Sequence, residues 1–588
     1  MKNKYIATFI GFMGLVVSCD VTDINPIDSL TDKSYWRSTS DLQMYAESFY
    51  KNLSAPDAEL DTQSDDRLKN TYNSWLYNET TVPASADDAE WTWTNIRALN
   101  FYMTRYEQVE GDVATINRWT AVIRFFRAMD YFGKIKKFGD VPWYDKDLST
   151  TDTEMLYKTR DSRDFVLGKV IEDLEFAITW LPEKNEVRSG ELHKDCARTY
   201  LSRVCLYYGT YKKYHKHSSS PTSDELLRKA ASVALDVMNS GRYSIVKGVD
   251  AGCGQDAFDG YPLYYSNQFT QEDLSGNAEC ILARVYVADL LTHQLGRQAG
   301  EHGFTKDFAE AFLCKDGLPI ANSPLYQGDE TIDQEMENRD PRMYQLIDNI
   351  NKPYYVQSDG ARQVNYSIYD IYSSAPSVSG NSGVTGYPVV KFHSADPIQF
   401  EASKSTFDWF VFRYAEVLLN YAEAKCELGE CSQDVLDATV NLLRDRVEMP
   451  HMTTTPAVDK ASLDYGYTIS PLLYEIRRER RIELAAEGFR YDDIIRWKAT
   501  KLLENPKTVL GIRVTDKVIS LYQEGTFGGE NGRPLVMYNG KQYLRPYTAK
   551  ELNDAGRVWS SDDKRFLSPL PQDELLLNQN LTQNPGWQ

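Results

Sequence analysis

Between residues 57 and 93 the chain gathers groups able to bind, or in principle cut, a hydroxyl-rich polymer. Asp65, Asp66 and Arg67 are consecutive, Trp75 follows, and Asp87 and Asp88 precede Trp91 and Trp93. Carboxylates accept hydrogen bonds from hydroxyls or amides, and a guanidinium donates them. Indole rings offer flat apolar faces with one N–H. A ligand with many hydroxyls and apolar ring faces, such as an oligosaccharide, suits that set. The plainer alternative is that Trp91 and Trp93 pack the start of a helix. Two residues apart, they point the same way on an extended chain and diverge by about 200° on a helix. Paired carboxylates for glycoside hydrolysis have no local spacing rule, and Asp65, Asp66, Asp87 and Asp88 are where such a pair would be sought.

Other catalytic signals are missing from the sequence. It contains no G-x-S-x-G elbow, no H-E-x-x-H and no phosphate-binding loop. It has no C-x-x-C pair and no Cys/His cluster with zinc spacing, and only His215 and His217 of its seven histidines are close neighbours. The reading is therefore a binder with no metal and no cofactor. The run Arg477 to Leu484 looks basic, but its charges are interleaved. Glu475 and Arg478, and Arg480 and Glu483, fall at helical i,i+3 spacing, so structural ion pairing is expected, not phosphate binding. The chain carries 65 Lys and Arg against 85 Asp and Glu, a net charge of −20, which argues against nucleic acid as a partner. Most cysteines are expected to be free and buried. Cys196 and Cys205, nine apart on one helix, are about 13 Å apart and cannot bridge.

The N-terminus states where the protein works. Lys2 and Lys4 precede an apolar run from Tyr5 to Val17, closed by Ser18-Cys19. That is a secretory leader, too short for the roughly 20 apolar residues of a membrane span. A cysteine directly after the small residue resembles a bacterial lipobox. Residues 1–18 are thus expected to be removed, Cys19 lipidated, and residues 19–39 to form a tether from an anchor that does not thread the membrane.

Helical periods follow over 40–53, 91–109, 114–132, 162–180, 192–214 and 224–239. They resume over 413–428, from Ser432 to Glu448, from Ser470 to Gly488 and over 490–504. Between these helical blocks (40–241 and 413–505), residues 242–412 lack sustained helical period. Strand-like pieces occur at Ile281–Tyr286 and Tyr387–Phe392. Residues 506–588 read as a loop-rich tail. Residues 413–448 make a helical hairpin of about one tetratricopeptide length. The expected architecture is mainly α: stacked helical pairs under a large irregular insertion, all within one domain over 40–588.

The ordered motifs resemble the SusD/RagB family of outer-membrane nutrient-binding lipoproteins of the Bacteroidetes. They run from the lipobox through Phe138-Gly-Asp-Val-Pro142, Asn338-Arg-Asp-Pro-Arg342 and Gly386-Tyr-Pro-Val-Val-Lys-Phe392. Arg413-Tyr-Ala-Glu-Val-Leu-Leu-Asn-Tyr-Ala-Glu-Ala424, Arg477 to Asp492, Arg496-Trp497, Leu570 to Glu574 and Asn580 to Gly586 complete the series. The resemblance implies a right-handed superhelix of tetratricopeptide-like pairs. It implies a non-catalytic protein that captures an oligosaccharide, or in the RagB branch a peptide, for a SusC-like TonB-dependent outer-membrane barrel. It places ligand contacts in 65–95 and the insertion, here Asp65, Asp66, Arg67, Trp75, Trp91, Trp93 and Tyr286. The rival readings are a lipid-anchored glycoside hydrolase and a scaffold that grips only another protein.

Overall fold

The computed structural model describes residues 36–247, 265–298, 302–348, 353–356, 362–364, 383–394, 396–550 and 557–587. The expected leader and Cys19 lie outside the described residues. The longer helices are α1 (Thr39–Glu47), α2 (Thr94–Met103), α3 (Val113–Phe138), α4 (Arg163–Trp180), α5 (Lys194–His215), α6 (Ser223–Asn239), α7 (Tyr414–Glu427), α8 (Val440–Arg446), α9 (Pro471–Glu483) and α10 (Arg490–Arg496). A short α11 (Gln572–Leu577) lies near the C-terminus. Their starts follow from the sequence. Asp112, Ser162, Thr222 and Ser470 cap α3, α4, α6 and α9, each side chain accepting from a free backbone N–H of the first turn. Pro471 sits where its missing N–H costs nothing.

Helix α3 packs on α4, α4 on α5 and α5 on α6, and α6 then packs on α7 beyond the insertion. Neighbours in sequence are neighbours in space, the arrangement expected of stacked helical pairs, and the molecule is mainly helical. One core cluster runs from Trp36 to Leu581 and includes residues of both helical blocks, the insertion and the tail. Among the described residues no helix is long and apolar enough to cross a membrane.

Several helices differ from the periodic reading: α2, expected over 91–109, spans only Thr94–Met103, and the helix expected over 40–53 passes into a 3-10 turn after Glu47. Helix α3 continues to Phe138 and stops at Gly139, whose φ of +76° starts the next loop. The helix expected from Ser432 to Glu448 is broken at Thr439, which has φ −136° and ψ −92° and whose hydroxyl donates to the Val435 carbonyl. Helix α10 ends at Arg496, because Lys498 adopts φ +52° and the chain continues as a 3-10 turn over Thr500–Glu504.

Four two-stranded ribbons are present among the described residues. β2 (Cys280–Arg284) runs antiparallel to β6 (Trp409–Arg413), so the two ends of the insertion clasp each other at the start of α7. β1 (Arg67–Leu68) pairs with β3 (Gly303–Phe304), tying the N-terminal region to the insertion. Gly303 is required there, since a Cβ would lie 2.0 Å from Thr385 Oγ1. β4 (Pro353–Val356) pairs with β5 (Arg362–Val364), and β7 (Leu535–Tyr538) with β8 (Lys541–Leu544). The strand-like piece 387–392 is buried but joins no ladder, making only single bridges such as Val389 to Ile347.

Under the clasp the insertion is seated on the helices by a continuous buried ionic network. Glu483 of α9 lies 2.5 Å from Arg446, 2.8 Å from Arg413 and 3.2 Å from Arg342. Arg342 also pairs with Asp340 and Glu479, and Glu479 with Arg444. Arg446 and Arg413 reach Glu279, while Arg413 and Lys391 share Glu487. Five cations meet five carboxylates, so the cluster is electrically neutral. Helix α9 is thus buried on every side, not only along Ile476 and Ile482. Glu475 does pair with Arg478, but Arg480 pairs with Asp493, not Glu483.

A neutral link adds to this seating. His193, preceding α5, is 2 % exposed, and its Nε2–H donates to the Ile281 carbonyl of β2 at 2.8 Å. Burial, only partly opposed by that bond, pushes its pKa down to about 4. An unfolded histidine takes up a proton near pH 6.5, but this one does not until about pH 4, so stability falls as pH drops through that window. His193→Gln keeps a donor without titrating. Between pH 7 and pH 4 the wild type is expected to lose about 3 kcal/mol more than the variant. Urea melts of both proteins at the two pH values test this, and parallel losses would refute it.

Candidate functional site

The aromatic pair approaches α2 in non-helical conformation. Trp91 is buried, with its ring edge-on to Phe138 at 4.8 Å. Trp93 meets Trp91 edge-on at 5.3 Å and Tyr144 at 5.4 Å, and the Lys134 ammonium lies 4.9 Å from its ring centroid. After the turn at Gly139, the loop brings Tyr144 alongside. The Tyr144 backbone N–H donates to the Tyr131 hydroxyl and its carbonyl accepts from Asn100, both at 2.7 Å. The third wall is α11 and the chain after it. Asn578 and Asn580 donate to the carbonyls of Lys158 and Tyr157, and Arg160 donates to Asn584.

These walls enclose an open cleft of about 360 Å³, within the roughly 300–1,000 Å³ range of small-ligand sites. Trp93, Tyr144, Tyr157 and Leu577 supply apolar surface, and Arg97, Lys146 and Glu574 supply polar groups. Tyr157 is 42 % exposed and Leu577 63 %. Burial first, then the charges of Asp161 and Glu574, push the Tyr144 hydroxyl up to about 12, so it remains a neutral donor. Burial and neighbouring Asp573 raise Glu574 above the usual carboxylate range. Arg97 has no ionic partner among the described residues, while Lys146 is 3.5 Å from Asp152. The arrangement offers ring faces, phenol and guanidinium donors and one carboxylate acceptor. No Ser, Cys or His lines it, and Glu574 is its one carboxylate.

Of the other expected contacts, none shares this cleft. Asp65, Asp66 and Arg67 are buried, a correction to their reading as ligand-facing groups. Asp65 accepts two bonds from Arg490, both 2.7 Å, and Asp66 accepts from Arg481 at 2.6 Å. Arg481 also reaches Asp307 at 2.8 Å. Three carboxylates thus share two guanidiniums. Burial and the adjacent Asp65 charge outweigh Arg481 and push Asp66 up to about 7. Arg67 donates to the Leu60 carbonyl. Tyr286 is also buried, its ring edge-on to His293 with centroids 4.7 Å apart. Trp75 stacks on Trp587 at 5.7 Å, and its indole N–H donates to the Tyr491 hydroxyl.

Trp75 lines a second cavity of about 560 Å³ with Tyr207, Tyr491 and Phe566. The charges there are largely spent on one another: Lys137 on Glu90, Lys136 on Asp492 and Arg565 on Asp563. A narrower cavity of about 250 Å³ beyond the Lys136–Asp492 pair is likewise lined by paired groups, Arg203 with Glu416 and Arg413 with Glu487. The Trp93 cleft keeps an unpaired guanidinium beside the exposed Tyr157 and the half-buried Trp93 and Tyr144. Sequence reading misses Tyr144, Tyr157, Arg97, Lys146 and Glu574 here. Tyr144 follows the Gly/Pro loop 138–142, and Glu574 closes the segment 570–574, so both stand beside motifs whose location in space is not readable from sequence.

Comparison with known proteins agrees with this fold. A sequence model of the SusD family matches residues 265–587. The chain is similar to SusD-like protein P2 of Formosa agariphila, at 23 % identity over 606 residues covering the whole of both chains. It is also similar to SusD-like protein P38 of the same organism, at 21 % identity over 82 % of this chain and 89 % of the relative. Among solved structures, a SusD-like protein from Bacteroides fragilis superposes with a TM-score of 0.68 at 23 % identity, covering 95 % of this chain and 99 % of that one. A SusD-like carbohydrate binding protein from the same species gives 0.65 at 22 % identity, covering 93 % and 100 %.

Proposed function

The chain belongs to the SusD family, and we propose that it is a non-catalytic surface lipoprotein that captures an oligosaccharide in the Trp93 cleft. On this reading Cys19 carries the lipid, the body faces outward from the outer membrane, and the ligand passes to a SusC-like TonB-dependent barrel. The observation that carries the proposal is the cleft itself, where the exposed Tyr157 ring and the half-buried Trp93 and Tyr144 rings stand beside the unpaired Arg97 guanidinium. Support also comes from the solved relative described as carbohydrate binding. Arg97, Lys146 and Glu574 equally suit the charged termini or side chains of a peptide, which makes a RagB-like ligand the second reading.

The test is a calorimetric titration of the lipid-free chain with plant, host and microbial oligosaccharides and with mixed peptides. Trp93→Ala is the informative variant, because Trp91 is a core residue whose truncation would cost about 3–5 kcal/mol of stability. We expect one glycan class to bind, and Trp93→Ala to weaken it by about 2 kcal/mol, roughly thirtyfold. Peptide binding alone would move the protein to the RagB-like reading. Glycan binding untouched by Trp93→Ala would remove the cleft from the proposal. Co-expression with a barrel subunit tests delivery: failure to copurify would sink that step.

A further inference from the structure

The tail buries two guanidiniums, that of Arg557 against Tyr77 of the loop after β1. Arg557 and Arg545 are each more than nine-tenths buried. All three guanidinium nitrogens of Arg557, and Nε and Nη2 of Arg545, are buried without a hydrogen-bond partner. No carboxylate among the described residues pairs with either. Around them stand phenols: Arg557 lies 5.7 Å from the Tyr77 ring centroid, and the Tyr77 and Tyr547 hydroxyls are 3.5 Å apart. Tyr547 feels both charges: burial raises its pKa, while Arg557 and Arg545 pull it down. A third cation, Lys550, lies 5.6 Å from the Tyr77 ring and is already paired with Glu79.

In the network at Glu483 buried arginines meet carboxylates with little charge left over, and buried Arg67 and Arg339 donate to backbone carbonyls instead, whereas the Arg557 guanidinium has neither kind of partner. A desolvated guanidinium without a counter-charge is strongly unfavourable, and buried polar groups left unsatisfied in native proteins commonly mark an absent ion. A single guanidinium presents parallel donors that match a carboxylate, sulfate or phosphate. We propose that Arg545 and Arg557, with the Tyr77 and Tyr547 hydroxyls as further donors, form a binding site for one small oxyanion, separate from the Trp93 cleft.

Inorganic sulfate is the probe. The melting temperature of the full lipid-free chain would be followed against sulfate, with chloride at matched ionic strength. We expect a saturable rise specific to sulfate, lost in Arg557→Gln and Arg545→Gln and kept in Arg188→Gln, an exposed control. In sulfate-free buffer Arg557→Gln is expected to melt no lower than wild type, because it removes an uncompensated buried charge. Two results would overturn the site. One is a sulfate response no larger than that to chloride. The other is a lower melting temperature for Arg557→Gln in sulfate-free buffer, matched by Glu551→Gln/Asp554→Asn, which would mean the chain's own carboxylates fill the place. Should Arg557→Gln not fold, equilibrium dialysis of wild type decides: one sulfate per chain supports the site, and none refutes it.

Discussion

Glu483→Ala is expected to leave the chain unable to hold its native structure at ordinary temperature. The Glu483 carboxylate is fully buried and serves Arg446, Arg413 and Arg342 at once. Burial alone would raise its pKa, but the three guanidiniums outweigh that and hold it well below the usual carboxylate range. Removing one partner of a buried pair costs about 3–5 kcal/mol. Here three cations lose a shared partner, and a protein's whole stability is commonly about 5–15 kcal/mol. Far-UV circular dichroism during a urea melt reads the outcome. Glu483→Gln, which keeps an acceptor but not the charge, should fall between wild type and Glu483→Ala. A Glu483→Ala midpoint within experimental error of wild type would mean that the network does not seat the insertion.

Asp65→Ala is expected to cost about 3–5 kcal/mol of stability while leaving ligand affinity, measured well below the lowered melting temperature, within twofold. Asp65 accepts both bonds of Arg490 and lies 3.4 Å from Arg481, so its role is to clamp α9 and α10 to the N-terminal region. A lipid-anchored hydrolase with this carboxylate as catalyst predicts the opposite pattern: a well-folded variant that binds ligand and no longer shortens it. Melting curves and product analysis on one sample separate the two. Asp66→Asn makes the contrast sharper. Asp66 is pushed up to about 7, so near neutral pH a proton already occupies much of its population, and the amide should change stability little.

What was legible in the sequence follows from the range of the forces involved. Caps act over three or four residues, and Asp112, Ser162, Thr222 and Ser470 mark helix starts that the structure keeps. The break at Thr439 depends on a hydroxyl choosing a carbonyl one turn back, which periodicity does not encode. Asn539-Gly540 is a hairpin signature between β7 and β8, with both residues at positive φ. A reading of 506–588 as loop passes over it. The acidic residues of 65–66 look like surface ligands because their partners lie 415 and 425 residues away. Trp91 and Trp93 were legible as a pair, but their division of labour, one in the core and one on the cleft wall, depends on Phe138 and Tyr144. The cleft's third wall comes from α11, near the end of the chain.

The clasp between β2 and β6 carries an evolutionary consequence. Because Cys280 faces Arg413 across one ribbon, the long stretch between them leaves the helical frame and returns to it at neighbouring points. The entropy of closing such a stretch grows only with the logarithm of its length, about 0.6 kcal/mol per doubling. Residues can therefore be added at the exposed parts of this stretch at small entropic cost, provided the clasp, the ionic seat beneath it and the buried core residues of the insertion are retained. A lineage can diversify the exposed parts of this stretch while inheriting the helices unchanged, and a protein engineer can graft there for the same reason.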